Sequence, residues 1–390
     1  MTPSLLVVSG EASGDRALSN VLSRLTNVRA FGMGGDAAAR TGAELLVHSG
    51  SLAAMGIGDV ASRAFGISRA FVTLLRAARA QRPAAALLVN YSEFNGRLAP
   101  KLKTLGIRVL WYGPPQVWAW RKSRMSAIRR STDRLAVMLP FEEPLWRATG
   151  ADAHYVGHPA TENGGHDGAF VRRTLELPPT ASTIALLPGR RPHEVRRLLT
   201  SMLEGYELVR RERASVDGRV LLASSLDQAT KQWAIEQAQR ARVEVLPIDP
   251  REGIGPVLSA FDAAVCASGT AVLECVLART VPVVVYKVGL VTEGVARATV
   301  PMSNVSLPNI LLKRAAFPEL LQRSVTPRAI AESLTNVIVN KKEYLRACGE
   351  VEKALGERLI PSLEVTKLLL PWLESRTDRR ADLLRTHLLT

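Results

Sequence analysis

Short apolar runs recur along the chain at 5–8, 44–47, 85–89, 109–112 and 135–139, and again at 183–187, 220–223, 243–246, 263–266 and 281–286. The stretches between them are longer and carry apolar residues at helical spacing. Brief apolar runs bounded by Gly, Pro, Ser or Asn read as strands, and strands alternating with helices predict parallel sheets covered on both faces. The alternation lapses between 158 and 182, where Gly164, Gly165, Gly168, Pro178 and Pro179 crowd together. A linker there divides the chain into two α/β halves of similar size. Beyond about 327 only helical spacing remains, as in Ile330, Leu334, Val337 and Ile338. The expected fold is therefore α/β, with two doubly wound parallel-sheet domains at 1–165 and 180–345 and a helical tail at 346–390.

Composition narrows the class. With 47% hydrophobic and 22% charged residues the chain is ordinary globular protein, and 28 Gly with 22 Pro argue against collagenous or low-complexity sequence. The three cysteines match no zinc spacing and are too few for a disulfide framework. The first residues lack the basic and apolar blocks of a signal peptide, and no run is apolar and long enough for a transmembrane helix. Charge is the departure: 51 Lys and Arg against 36 Asp and Glu leave +15. Such a balance attracts nucleic acid, anionic lipid or phosphorylated substrates without choosing among them.

In open parallel sheets ligands collect at the carboxyl ends of strands, so the residues after each apolar run carry the chemistry. Four such positions are informative. After 5–8 comes Gly10-Glu11-Ala12-Ser13-Gly14-Asp15, either a turn presenting N–H groups to an anion or sugar, or a plain strand-to-helix turn capped by Ser13. After 85–89 comes Asn90-Tyr91-Ser92-Glu93-Phe94-Asn95, where only Glu93 can accept a proton; taken alone, such a group is more often an ordinary helix cap with an acidic first turn. After 183–187, Pro188-Gly189-Arg190-Arg191 can neutralise a departing diphosphate, or be a solvated basic helix start. After 263–266, Ser268-Gly269-Thr270 can bring phosphate to a helix N-terminus, with Glu274 one turn in to accept ribose hydroxyls; a capped helix with an acidic residue is the alternative. There is no Asp-x-Asp and no Gly-x-Ser-x-Gly, so neither a metal site nor a cofactor is expected, and no serine nucleophile is evident.

These motifs, together with Ala54-Met55-Gly56-Ile57, Pro115-Gln116-Val117-Trp118-Ala119-Trp120, Leu139-Pro140-Phe141-Glu142 and Val305-Ser306-Leu307-Pro308-Asn309, resemble the ordered motifs of the lipid-A-disaccharide synthase family. The resemblance spans roughly 4 to 315 and implies a GT-B-type inverting glycosyltransferase whose two domains face a cleft. It would act without metal, joining UDP-2,3-diacylglucosamine to 2,3-diacylglucosamine 1-phosphate and releasing UDP and a β-1,6-linked disaccharide phosphate. It further implies a cytoplasmic protein held at the inner membrane surface, and a homodimer that exchanges C-terminal elements unless the tail returns to its own first domain. By motif match Gly189, Arg191, Ser268, Gly269, Thr270, Glu274 and Asn309 would contact UDP. Glu11, Ser13, Asp15 and Asn95 would lie on the acceptor side. One position departs: the family commonly places Asp, its favoured catalytic base, where this chain has Asn90. An amide cannot take the proton. Glu93, on the same loop, is expected to have taken over, with Asn90 and Arg191 completing the catalytic set; a catalytically inactive UDP-sugar or lipid-binding homologue is the alternative. Another UDP-sugar transferase or epimerase of the same architecture would share the Ser-Gly-Thr and Glu274 features.

A diacylated substrate calls for an interfacial surface. Ile67, Phe71, Leu74, Leu75 and Ala78 fall on one helical arc, with Arg69 and Arg76 opposite and Phe65 and Val72 beside them. No acidic residue occurs from 60 to 92. That outer face suits anionic lipid, although a core-packed helix with a solvated arginine face fits the same spacing. Trp118, Trp120 and the cations that follow interleave as in nucleic-acid sites, but no nucleic-acid partner is expected because phosphorylated acceptor or headgroup would meet the same residues.

Overall fold

The computed structural model describes residues 2–50, 60–117, 124–163, 167–213, 215–249, 253–287, 304–356 and 359–374. The motifs at 54–57 and 118–120, the cations at 121–122 and the tail at 375–390 lie outside the described residues. The chain divides into two compact units, 1–159 with 358–390, and 160–357.

In unit 1, β1 (Ser4–Ser9), β2 (Arg29–Gly34), β3 (Glu44–His48), β4 (Ala85–Val89), β5 (Arg108–Tyr112), β6 (Arg134–Val137) and β7 (Ala153–Tyr155) form a parallel sheet in the order β3-β2-β1-β4-β5-β6-β7. Its helices are α1 (Ala12–Leu22), α2 (Asp36–Arg40), α3 (Val60–Gln81), α4 (Ser92–Thr104), α5 (Met125–Ser131) and α6 (Glu142–Arg147). Successive residues of β1 feed opposite layers, as the pleat requires. Leu5 and Val7 join Ala17, Leu18 and Val21 of α1. Leu6 and Val8 join Ala70, Leu74 and Ala78 of α3 and Leu98 and Leu102 of α4. Both faces are therefore covered, which is why the strands read as continuous apolar runs rather than alternating ones.

In unit 2, β8 (Ser182–Leu187), β9 (Val216–Ala223), β10 (Glu244–Ile248), β11 (Ala263–Ala267), β12 (Val281–Tyr286) and β13 (Glu319–Leu321) form a second parallel sheet, ordered β10-β9-β8-β11-β12-β13. Around it lie α7 (Gly168–Thr174), α8 (Pro192–Glu212), α9 (Gln228–Arg240), α10 (Gly255–Leu258), α11 (Thr270–Leu277), α12 (Leu307–Leu312), α13 (Pro327–Val339) and α14 (Lys341–Ala354). Asp262 accepts hydrogen bonds from Thr183 N at 2.8 Å, from Arg172 Nη2 at 2.8 Å and from Lys341 Nζ, which pins α7 and the start of α14 to the amino edge of the sheet. Burial would raise the Asp262 pKa, but the bonds from Lys341 and Thr183 outweigh it and hold the carboxyl below its ordinary value. With α14 anchored there, the division falls at 357/358, whereas the tail expected from helical spacing begins at 346, inside α14.

The chain then returns as α15 (Pro361–Leu373), whose Val365, Leu369 and Leu373 pack with Leu5, Val7, Leu87 and Leu110 of the unit 1 sheet. Arg134 on β6 fastens it, donating from Nη1 to Leu368 O at 2.6 Å while its guanidinium lies 4.7 Å from the Trp372 ring centroid.

Candidate functional site

Where an open parallel sheet reverses its direction of winding, the loops after two neighbouring strands diverge and leave room for a ligand at the strand carboxyl ends. In unit 1 this point lies between β1 and β4, with Ser9 beside Val89. In unit 2 it lies between β8 and β11, with Leu187 beside Cys266. All four strand-end motifs singled out in the sequence follow these four strands.

At the unit 1 point, α1 begins at Ala12 with Glu11 as its N-cap, so Ser13 lies within the first turn and does not cap it as the simple-turn reading had it. Asn90 and Tyr91 both carry left-handed backbone, φ +49° and +44°, before α4 starts at Ser92. Asn90 N still donates to Tyr112 O at 2.8 Å, so the residue extends the sheet by one step. Its amide lies between Gly113 of the loop after β5 and Gly14 in the first turn of α1: a Cβ on Gly113 would fall 2.2 Å from Oδ1, and one on Gly14 would fall 3.5 Å from Nδ2. Glu93 stands in the first turn of α4, exposed, with Oε1 2.8 Å from Arg124 Nη1. Asn90 and Glu93 are thus brought to one strand end.

Two residues expected on the acceptor side do other work. Asp15 is buried, and its carboxylate accepts from Gly35 N at 2.7 Å and Ala37 N at 2.9 Å, so it closes the N-terminus of α2. Asn95 is fully buried and donates from Nδ2 to Asn90 O at 2.9 Å, so it supports the loop from beneath. Glu11 and Ser13 remain half-buried at the head of α1.

At the unit 2 point, Gly189 takes φ +109°, and a Cβ there would lie 2.5 Å from Glu194 Oε2. That oxygen accepts from Arg190 N and Arg191 N, each at 3.2 Å, which folds the Pro-Gly-Arg-Arg turn over the start of α8. The Arg191 guanidinium is exposed, its Nη1 3.6 Å from Glu194 Oε1. An ion pair this open is weak and leaves the arginine available to a stronger anion. Ser268 N donates to Val285 O at 3.0 Å and belongs to the sheet. Gly269 and Thr270 are exposed at the head of α11, nothing lies within 4 Å of a Cβ on Gly269, and the first-turn N–H groups of a helix have no intrahelical partner. Glu274 follows one turn later, half-buried.

Asn309, expected to touch UDP, is instead fully buried. Its Nδ2 donates to Phe317 O at 2.9 Å and Glu319 Oε1 at 2.8 Å, and its Oδ1 accepts from Phe317 N at 2.9 Å. Glu319 also accepts from Val305 N and Ser306 N, each at 2.9 Å. The Ser-Leu-Pro-Asn motif is therefore a polar knot that fixes the start of α12 against β13. Sequence reading missed Glu319 and Trp111, the latter donating from Nε1 to Asn90 O at 3.1 Å. Neither stands next to a motif, so no local signal could have found them.

Beneath the Ser268 loop, Cys266, Cys275 and Cys348 are buried free thiols. The hydrogen bond with Cys266, and then burial, push the Cys275 thiol up, which keeps it neutral and unreactive. Among the described residues no group of three or more His, Cys, Asp or Glu is placed to hold a metal ion. On α3, Phe65 (71% exposed) and Val72 (43%) lie with exposed Arg69 and Arg76 on one outer face, opposite buried Leu74 and Ala78. No described helix is long and apolar enough to cross a membrane.

Comparison with known proteins agrees with this layout. The chain is 40% identical to the lipid-A-disaccharide synthase of Myxococcus xanthus over 91% of its length and 94% of the relative's, and 38% identical to that of Anaeromyxobacter dehalogenans (strain 2CP-C) over 92% and 94%. Among solved structures, a Staphylococcus aureus MnaA–UDP co-structure superposes with a TM-score of 0.65 at 9% identity over 96% of this chain and 97% of that one. Acinetobacter baumannii MurG does so with a TM-score of 0.55 at 13% identity over 95% and 99%. At such identities the structures speak for the fold alone, which is the GT-B type. The sequence profile described as lipid-A-disaccharide synthetase matches residues 5–360, and the chain belongs to that family.

Proposed function

We propose that this protein is the glycosyltransferase that joins UDP-2,3-diacylglucosamine to 2,3-diacylglucosamine 1-phosphate, releasing UDP and the β-1,6-linked disaccharide 1-phosphate. The observation that carries the reading is the family match across both units, residues 5–360. In this reading the acceptor's primary hydroxyl oxygen bonds to the anomeric carbon of the donor from the face opposite UDP, the bond from that carbon to the diphosphate oxygen breaks, and configuration inverts. The hydroxyl proton passes to the Glu93 carboxylate. Asn90 orients the hydroxyl through its amide, and Arg124, paired with Glu93, keeps that carboxylate aimed. The negative charge released onto UDP is met by the exposed Arg191 guanidinium and by the N–H groups at Gly269 and Thr270, donors that strengthen as charge develops. Glu274 receives the ribose hydroxyls.

The same reading puts the protein at the cytoplasmic surface of the inner membrane as a peripheral protein, because both diacylated substrates belong to a bilayer. The face formed by Phe65, Arg69, Val72 and Arg76 supports this, because apolar and cationic side chains together favour an anionic interface. Replacing Phe65, Arg69 and Arg76 together should weaken binding to anionic vesicles; unchanged binding would remove the proposed surface. A homodimer belongs to the same reading on family resemblance, and sedimentation of the purified protein tests it.

The test of the reaction is conversion of radiolabelled 2,3-diacylglucosamine 1-phosphate with UDP-2,3-diacylglucosamine in detergent micelles containing EDTA. Disaccharide phosphate is the expected product. UDP binding without product would assign the chain to a non-catalytic homologue.

A further inference from the structure

Two adjacent non-glycine residues with left-handed backbone are rare, and for an aromatic residue the conformation is unfavourable because Cβ crowds the carbonyl that follows. Asn90 (φ +49°) and Tyr91 (φ +44°) form such a pair at the strand end where Asn90 and Glu93 meet. Conformations of this kind persist only where the surroundings over-determine them. Here they do. The Asn90 carbonyl accepts from Trp111 Nε1 at 3.1 Å and from Asn95 Nδ2 at 2.9 Å, and Tyr91 O accepts from Asn95 N at 3.0 Å. Trp111 and Asn95 are both fully buried, so these donors cannot trade their bonds for water. The Tyr91 ring stacks on Phe94 with centroids 5.2 Å apart, and Phe94 meets Phe71 of α3 edge-on at 5.8 Å.

The corner turns the chain within two residues, so α4 starts directly at the sheet edge with Glu93 in its first turn. We propose that it is a positioning device for sugar transfer: the left-handed backbone at Asn90 and Tyr91, held by the buried donors Trp111 and Asn95, fixes where the Asn90 amide and the Glu93 carboxylate stand, and neither Trp111 nor the Tyr91 ring touches substrate. The proposal rests on the glycosyltransferase reading above. Displacements of about 1 Å at reacting groups cost on the order of a hundredfold in rate, so the effect belongs in kcat.

Tyr91→Gly and Tyr91→Val separate backbone from packing, since both remove the ring and only glycine accepts φ > 0 without strain. Turnover, KM for both substrates, UDP affinity and thermal melting are measured for each, with Tyr91→Ala between them should the valine variant fail to fold. Tyr91→Gly is expected to keep kcat within about fivefold of the parent. Tyr91→Val and Trp111→Phe should lose about thirtyfold or more in kcat, with KM and UDP affinity little changed. Equal losses for glycine, alanine and valine would overturn the device in favour of ring packing, as would a raised KM at unchanged kcat. A parent enzyme that binds UDP but forms no disaccharide would overturn the transferase reading itself, an outcome distinct from either.

Discussion

The ring of Tyr91 lies over Gly10 so closely that a Cβ at position 10 would sit 2.4 Å from Tyr91 Cδ1. The two residues belong to the loops after β1 and β4, the pair that diverges at the unit 1 switch point. Gly10→Ala must therefore displace the ring or the loop, at a cost of about 1–3 kcal/mol typical of overpacking. Thermal melting should show a lowered midpoint. The double variant Gly10→Ala with Tyr91→Gly should recover most of the loss, because the clashing atoms are gone; no recovery would locate the damage elsewhere in the turn.

Glu93→Gln should lower kcat by about 10²–10⁴-fold, the usual worth of a general base, with little change in melting because the side chain is exposed and its pair with Arg124 is open to solvent. Adding Asn90→Asp to that variant restores a carboxylate at the same strand end and should return part of the activity. Full turnover by Glu93→Gln alone would exclude Glu93 as base.

Asp15→Asn has the opposite signature. Both carboxylate oxygens accept backbone N–H groups, from Gly35 just before α2 and from Ala37 within it, and an amide turns one acceptor into a donor facing a donor. The expected loss is about 1–3 kcal/mol of stability, read by urea unfolding.

Asn309→Ala should likewise act on folding. It strands Phe317 N and Phe317 O and leaves Glu319 without one of its donors, a loss of about 2–4 kcal/mol for the three broken bonds. At temperatures where the variant stays folded, calorimetry should find UDP affinity near that of the parent; a large loss of affinity would return Asn309 to the nucleotide.

His158 makes stability fall in mild acid. Burial lowers its pKa from 6.5 to about 4, so between those values the unfolded chain takes up a proton that the folded chain refuses. Its contribution is fully present above about pH 6.5 and lost as pH falls toward 4, amounting to about 3 kcal/mol across the window. Urea midpoints at pH 7.5, 6 and 5 for the parent and for His158→Gln test this: the substitution should flatten the acid side of the curve.

Much of the architecture was legible because both sheets are covered on both faces. Strands such as 85–89 and 281–286 must then be apolar throughout, and they announce themselves as runs. The strands that escaped had other reasons to pair. β2 carries few apolar residues between glycines, while β7 and β13 are three-residue edges held by a single neighbour. Motif content alone was also enough to reach the family, through the Gly10–Asp15 turn, Pro115–Trp120, Gly189 with Arg191, the Ser268–Thr270 turn and Val305–Asn309, while Asn90 departs from the family pattern.

What each polar side chain does was decided in three dimensions. Asp15 and Asn309 carry the same functional groups as a binding residue would, and the sequence around them reads as a ligand loop. Their partners, Gly35 and Ala37 for the one and Phe317 and Glu319 for the other, come from different elements. The same holds for Trp111, whose single N–H fixes a corner on the neighbouring strand. Local sequence determines which segments bury apolar surface and where turns must fall, because those are short-range properties of spacing and backbone sterics. Whether a carboxylate or amide faces a ligand or a neighbouring backbone depends on which segments the sheet order brings together, and that is settled only when the hydrogen-bond needs of the whole buried interior are met at once.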